Sequence, residues 1–456
     1  MPRKTKKKTQ KRKIVKLESL KKLNLNAAGI DIGADEIYVC VPEDRDAQTV
    51  RNFGTYTQDL FEVSRWLKEC DVDTVAIEST GVLWIPLYEH LSEQGFDVCL
   101  VNAKHIKNVP GKKTDVLDCQ WLQQLHTYGL LQGSFRPKEE MVQLRSLVRQ
   151  RAMLIESRSR HIQHMHKALQ QMNVRLDRAV SDVTGKTGMS IIRAIIDGEK
   201  NSRQLATFRD GRCRLSEEEI AKALEGNFRD DHLFALKQAV ELYDFYTQKI
   251  VDCDIKIESR YAILHPEFHQ DLPALPAAKK HNKVGNQPHF DLQSDLYQLC
   301  GVDLTAIEGV STLTVQTVIS EIGLDMSVWP TAAKFARWLG LAPNNQITGG
   351  KVIKRGTSKV TNRATQALRM AAQSVYRSDG PIGRFYRRIK RKHGPQVAIT
   401  ATAHKLARII YALLKSKTPY QPQLLDDYEV KREKYRLHLL HKQAQKLGYD
   451  LTPIQS

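Results

Sequence analysis

Paired cysteines are missing from this chain of 456 residues. The seven that occur, at positions 40, 70, 99, 119, 213, 253 and 300, stand singly, and no Cys-x-x-Cys exists. That excludes a zinc ribbon or a thioredoxin-type redox site. Single thiols inside apolar runs, as at Cys40 and Cys99, read as small core residues of a protein kept in a reducing compartment. Long apolar runs are missing too. No stretch approaches the roughly 18 residues of a spanning helix, so no membrane partner is expected. The basic N-terminus has no apolar segment after it, which argues against a signal peptide. Gly185-Lys186-Thr187 lacks a preceding strand, and Val180 stands where a P-loop needs its first glycine, so nucleotide binding is not expected.

Acidic residues are also in short supply. Lysine and arginine number 70 against 51 acids, a formal net charge of +19, which points to a polyanionic partner. The excess is clustered. Eleven Lys or Arg lie between Met1 and Lys22 against one acid, Glu18. A second cluster, Arg384, Arg387, Arg388, Lys390, Arg391 and Lys392, encloses Phe385 and Tyr386. Apolar content of 41% is ordinary for a globular chain.

Four acids have a pattern of their own. Asp31 lies in AGIDIGADEIYVCVP, where Ile30 and Ile32 share one strand face and Asp31 takes the other. An acid inside an apolar strand is costly unless something pairs with it. Glu78 closes the run Val75-Ala76-Ile77 before a Gly-containing turn. Asp115 and Asp118 open a helical pattern carried by Leu117, Trp121, Leu122 and Leu125, three apart and so on one helix face. An Asp-x-x-Asp alone is commonly a solvated first turn. The order strand-Asp, strand-Glu, helix-Asp-x-x-Asp points instead to a metal site. Oxygen-only ligands select Mg²⁺, or Mn²⁺, over zinc. Two ions roughly 3.5–4 Å apart would flank a phosphodiester.

The chain reads as α/β plus α. Residues 1–26 form a basic arm, and 27–135 alternate short strands and helices at the length of an RNase H-like domain. From Leu144 a 4-3-4-3 spacing runs through Val148, Arg151, Ile155, Arg158, Ile162, Met165, Leu169 and Met172 to Leu176. This is a heptad seam. A second run, Leu236, Val240, Tyr243, Tyr246, Ile250, Cys253 and Ile257, offers a returning arm, so 136–263 is expected as long coiled-coil helices. Arg151 and Arg158 weaken the seam and suggest register control or an anion contact. His161, His164 and His166 do not share one face and read as surface residues. Residues 264–303, rich in Pro, Asn and His, read as a linker. A mostly helical domain follows over 304–415, with a helix-hairpin-helix-like element around Gly309, and a basic helical tail over 416–456.

The words AGIDIG, AIESTGVLWIPLYEHL, VNAKHIKNVPGKKTDVLDCQWL, DVTGKTGMSIIRAIIDGE, EEEIAKALEGNFRDDHLFALKQAVELYDFY, FDLQSDLYQLCGVDLTAIEGV and IEGVSTLTVQTVISEIG…FARWLGLAPNNQITGGK, in this order, resemble the DEDD transposases of the insertion-sequence 110 family. The resemblance runs from about residue 27 to about 415. It implies a RuvC-like N-terminal domain, a C-terminal transposase domain, and Mg²⁺-dependent cleavage and rejoining of DNA at element ends and target. It also implies guidance by a structured noncoding "bridge" RNA. Further implications are a homo-oligomer, dimer or tetramer, with a composite site, and a place in the bacterial cytoplasm at the nucleoid. The family's serine nucleophile precedes a Gly-Gly-Lys turn; here that position is Thr348, a departure. The extra methyl of threonine restricts χ1 and crowds in-line attack. Gly349 and Gly350 allow a phosphate close to the backbone. Lys351, Lys354, Arg355, Arg363, Arg387 and Arg388 are the expected nucleic-acid contacts, and Ser358 is the nearest serine. A junction-resolving nuclease that uses water, or an inactive nucleic-acid-binding regulator, would share the acidic residues without the nucleophile.

Overall fold

The computed structural model describes residues 20–102, 115–264, 272, 273, 275, 285–354, 356–358, 360 and 362–451. Most of the expected basic arm, as far as residue 19, and residues 265–271, 274 and 276–284 of the expected linker fall outside these residues. The chain divides into two compact units, Met1–Arg136 and Pro137–Ser456.

In the first unit, β1 (Ala27–Ile32), β2 (Ile37–Cys40) and β3 (Val50–Phe53) are followed by α1 (Thr57–Glu69), β4 (Thr74–Glu78), α2 (Trp84–Glu93), β5 (Asp97–Val101) and α3 (Asp115–Thr127). The sheet order is β3-β2-β1-β4-β5; β1, β4 and β5 run parallel and β2 is antiparallel to both its neighbours. Alternation along β1 sends Ala28, Ile30 and Ile32 into a core with Val39, Val75 and Ile77, covered by Leu60, Val63 and Leu67 of α1 and Leu87 and Leu91 of α2. Ile30 and Ile77 are fully buried, each worth about 1.5–3 kcal/mol in burial. The opposite face of β1 and β4 is covered by α3.

The second unit begins with α4 (Glu139–Gln171). Four short helices follow, α5 (Leu176–Ala179), α6 (Lys186–Ile196), α7 (Ser202–Ala206) and α8 (Glu217–Ala223), and then α9 (Asp230–Leu264). The returning arm is α9: Arg151 meets Asp254 while Met165 shares a core with Val240, so the two long helices run antiparallel within one chain. The expected seam is interrupted earlier than its spacing suggested. The helix stops at Gln171, Asn173 has φ of 59°, and Met172 and Leu176 belong instead to the small helical cluster with Ile191, Ile192, Leu205 and Ile220. Ile155, Arg158 and Ile162 are only half-buried. The anion that Arg151 required is Asp254. Both side chains are buried, the guanidinium donates to both carboxylate oxygens, and Nη2 also donates to Asn286 O at 2.9 Å. His161 is not a plain surface residue either, since its ring is half-buried and stacks on Tyr246 at 5.3 Å.

The expected linker is corrected at its end, because α10 (Leu292–Cys300) forms there and buries Leu292, Leu296 and Leu299. Then α11 (Thr312–Ile322), α12 (Ala332–Trp338), the hairpin β6 (Gln346–Thr348) and β7 (Lys351–Lys354), α13 (Arg363–Ser374), α14 (Pro381–His393), α15 (Pro395–Ser416) and α16 (Gln423–Lys446) follow. Around Gly309 (φ 80°) the second helix of the expected helix-hairpin-helix is α11, capped by Ser311, whereas only a 3₁₀ turn, Leu304–Ala306, leads directly into the turn. Glu308 in that turn accepts from Ile382 N and Gly383 N, both at 2.9 Å, and so caps α14. Arg149 joins α4 to α11 through a two-pronged bond to Glu321, at 2.8 and 2.7 Å. Among the described helices, α15 alone is long and apolar enough to cross a membrane by length and composition. Half of that stretch is buried, with Ala403, Leu406, Ala407 and Ile410 at 1% exposure or less, as in a core helix of a bundle. All seven cysteines are free.

Candidate active site

Two of the acidic residues, Asp31 and Glu78, lie on the α3 face of the sheet. Ala27, Gly29 and Asp31 alternate with the core residues of β1, and Gly29 shows where α3 lies. A Cβ at that position would stand 2.3 Å from Gln123 N and 2.4 Å from Cys119 O. Only glycine allows a helix backbone so close. The Gln123 side chain donates to Ala27 O at 3.2 Å, and Leu23 N donates to Thr127 O at 2.8 Å. Thus α3 runs antiparallel to β1, its C-terminal end over the start of the strand and its first turn toward Asp31.

β4 presents the same face. Thr74 Oγ1 donates to Asp97 O at 3.0 Å and meets His126 Nε2 at 2.8 Å. With the hydroxyl proton so used, the imidazole Nε2 is assigned as the donor. Burial pushes the His126 pKa down. Since Thr74 faces α3, Ala76 and Glu78 do too. The parallel register ends with Ile30 opposite Ile77, and Asp31 and Glu78 are the residues that follow that last pair, one on each strand. Asp31, Glu78 and Asp118 are each half-buried.

The Cys119 thiol, next in sequence to Asp118, is held far above its usual pKa. The causes are a hydrogen bond with Cys40, then burial, then the charges of Cys40 and Asp31. The Asp31 charge is thus felt at Cys119 of α3. The backbone of Asp115 opens the same helix, while its side chain lies outside the described residues. Among the described residues, no three His, Cys, Asp or Glu side chains stand close enough together to hold a metal ion. The fold thus sets Asp31 and Glu78 near the carboxyl ends of adjacent parallel strands, on the sheet face covered by α3, the helix that carries Asp118. The donors are all carboxylate oxygens, a set that suits a hard divalent cation.

The other candidate residues lie in the second unit. Thr348 and Lys351 pair across β6 and β7, and the two residues between them, Gly349 and Gly350, have φ of 57° and 77°. That is the backbone of a type I′ turn. A Cβ on either glycine would meet nothing within 4 Å, so the conformation, not packing, requires glycine there. Thr348, Gly349, Gly350 and Lys351 are all exposed. The Lys354 side chain and Arg355 lie outside the described residues. Ser358 is half-buried, with its carbonyl against Gly340. Arg363 is exposed at the first position of α13, after Asn362, which caps it. Arg387 is engaged at home, donating to Tyr376 O at 3.1 Å and Ser378 O at 2.6 Å. Arg388 lies over the Phe385 ring at 5.2 Å. Spacing alone did not single out Gly29, Thr74 or His126, because each matters through a partner distant in the chain.

Comparison with known proteins follows this geometry. A family model described as "Transposase", of the DEDD type in the IS110 group, matches residues 28–174. A second, "Transposase IS116/IS110/IS902 family", matches residues 302–387; together they span about half of the chain. A "Probable family 20 transposase" of Pseudomonas aeruginosa is 29% identical over 124 residues, 26% of this chain and 36% of that protein. The "Transposase for insertion sequence element IS1328" of Yersinia enterocolitica is 20% identical over 403 residues, 87% of this chain and 99% of that protein.

Proposed function

Since the chain belongs to the IS110 family of transposases, we propose that it cuts and rejoins DNA with the carboxylates of its N-terminal unit. The observation that supports this reading is that Asp31 and Glu78 share the sheet face covered by α3, the helix that carries Asp118. The sheet order, with β2 antiparallel beside a parallel β1-β4-β5 set, supports an RNase H-like fold. Asp31, Glu78, Asp115 and Asp118 would hold Mg²⁺, two ions by the family pattern, with Mn²⁺ as a substitute. When bound, the metal supplies positive charge to a phosphodiester in its transition state. The carboxylates would fix where that charge sits and, half-buried as three of them are, restrict water around it.

The hydroxyl of Thr348 is the proposed nucleophile. Its oxygen would bond to phosphorus, a deoxyribose oxygen would leave with the electrons of the broken bond, and the hydroxyl proton would pass to solvent. The cross-strand neighbour Lys351 provides positive charge beside it. Double-stranded DNA, a structured guide RNA and further copies of the chain are the proposed partners, in the bacterial cytoplasm. The net charge of +19 supports polyanion binding.

The test is cleavage of DNA carrying the ends of the element that encodes the chain. Asp31→Ala, Glu78→Ala and Asp118→Ala are each expected to abolish cleavage while binding persists. The wild type is expected to leave an adduct at Thr348, absent in Thr348→Val and kept in Thr348→Ser. Undiminished cleavage by two of the carboxylate variants refutes the site. Cleavage without an adduct, tolerant of Thr348→Val, means that water is the nucleophile.

A further inference from the structure

The turn that follows Glu78 breaks a rule of local sequence. Thr80, Gly81, Val82 and Leu83 form a closed turn, with Leu83 N bonded to Thr80 O at 3.3 Å and Gly81 at φ of 56°. Such turns usually carry polar residues at their tips. Here an apolar residue stands at the tip and another closes the turn: Val82 is 70% exposed and Leu83 41%. The turn is also held firmly. The Thr80 hydroxyl donates to Glu78 Oε1 at 3.3 Å, Trp84 Nε1 donates to Gly81 O at 3.1 Å, and Ile85 N donates to Val82 O at 3.1 Å. The Trp84 ring is fixed edge-on to Tyr88, and Arg136 lies over both rings. On α3 the two residues between Asp115 and Asp118 are likewise apolar and exposed, Val116 at 39% and Leu117 at 50%.

Scattered exposed apolar residues are ordinary. These four are not scattered along the chain, because Val82 and Leu83 follow Glu78 on a turn whose Thr80 hydroxyl bonds to that carboxylate, and Val116 and Leu117 lie between Asp115 and Asp118. Local rules broken at a site point to what the site binds. Apolar side chains have no affinity for phosphate oxygens; the apolar parts of a nucleotide are the base face and the sugar. In a stacked duplex the base faces cover one another, so an apolar seat gains only where a base has left the stack.

We infer that Val82 and Leu83 are specificity-determining residues of this site, a rigid apolar seat for an unpaired nucleobase beside the scissile phosphate. The strand cut by the enzyme is thus opened at that position. This rests on the proposed cleavage function and deepens it.

The experiment first maps the wild-type break on DNA carrying the element ends. It then compares a fully paired substrate with one unpaired at the adjoining nucleotide. The wild type is expected to cleave the opened substrate with the higher kcat/KM. Val82→Ser with Leu83→Ser is expected to lower kcat/KM on it about tenfold, the scale of one apolar side chain withdrawn from contact. Both positions are solvent-exposed, so the melting temperature and the Mn²⁺ affinity read by electron spin resonance should not change. Val82→Phe should match or exceed the wild type, because a ring stacks better on a base. 5-Iododeoxyuridine at the adjoining position should crosslink to the peptide that contains Val82 and Leu83. Equal kcat/KM in the serine double variant, or crosslinks only elsewhere or to a second copy of the chain, overturns the inference while the carboxylate variants remain dead. A wild type that does not cut at all, or an Asp118→Ala that cuts as well, fails the cleavage function and this inference with it.

Discussion

Gly29→Ala tests the placement of the carboxylates without touching one of them. The added methyl would lie 2.3 Å from Gln123 N, 2.4 Å from Cys119 O and 2.8 Å from Gln123 Cα, all backbone atoms of α3. Ordinary contact needs about 3.5 Å, so the helix must recede by about 1 Å. It cannot do so by a side-chain rotation. Overpacking of this kind costs about 1–3 kcal/mol, less the few tenths to 1 kcal/mol gained by restricting the unfolded chain. Asp118 is one residue from Cys119 and moves with the helix. A misplacement of about 1 Å in a catalytic group costs about 10²-fold in rate. We therefore expect the melting transition of the N-terminal unit to fall by several degrees and cleavage to drop about 10²-fold. Gly211→Ala is the control, since a Cβ there meets nothing within 4 Å and its φ is not positive. Calorimetry and single-turnover cleavage measure the two effects. Wild-type stability and rate in Gly29→Ala would refute the close approach of α3. Lower stability with an unchanged rate would refute its role in placing Asp118.

Asp254→Ala leaves Arg151 charged and buried, at 4% side-chain exposure, and should cost about 3–5 kcal/mol in urea unfolding. The double variant Asp254→Leu with Arg151→Met should recover most of that loss, and no recovery would show that the pair does not stand alone. His126 has its pKa lowered by burial, so the unfolded chain binds the proton more readily. Stability of the first unit is then full above about pH 6.5 and is lost as pH falls from there toward the folded-state pKa. His90, shifted the same way by burial, adds to the slope. His126→Gln should flatten the decline of the urea midpoint between pH 7.5 and pH 5 in part, and an unchanged slope would remove His126 as a source.

Periodicities were legible in the sequence because they depend on a residue and its near neighbours. Alternation about Asp31 foretold that the acid and the two isoleucines face opposite ways. The three-residue step from Asp115 to Asp118 foretold a helix start, and the 4-3-4-3 spacing foretold two long paired helices. The glycine pair after Thr348 signals a tight turn by itself. Partners were not legible. That the strand ends bearing Asp31 and Glu78 are neighbours follows from the pairing of β1 with β4. That Gly29 must be glycine follows from a helix some ninety residues later pressing on it. The anion for Arg151 lies 103 residues away on the returning helix. The early end of the seam was hidden because Met172 and Leu176 keep its spacing while packing into a different core. Local backbone preference sets the period of a segment, whereas register and burial depend on which distant segments pack together, a choice made by the whole chain.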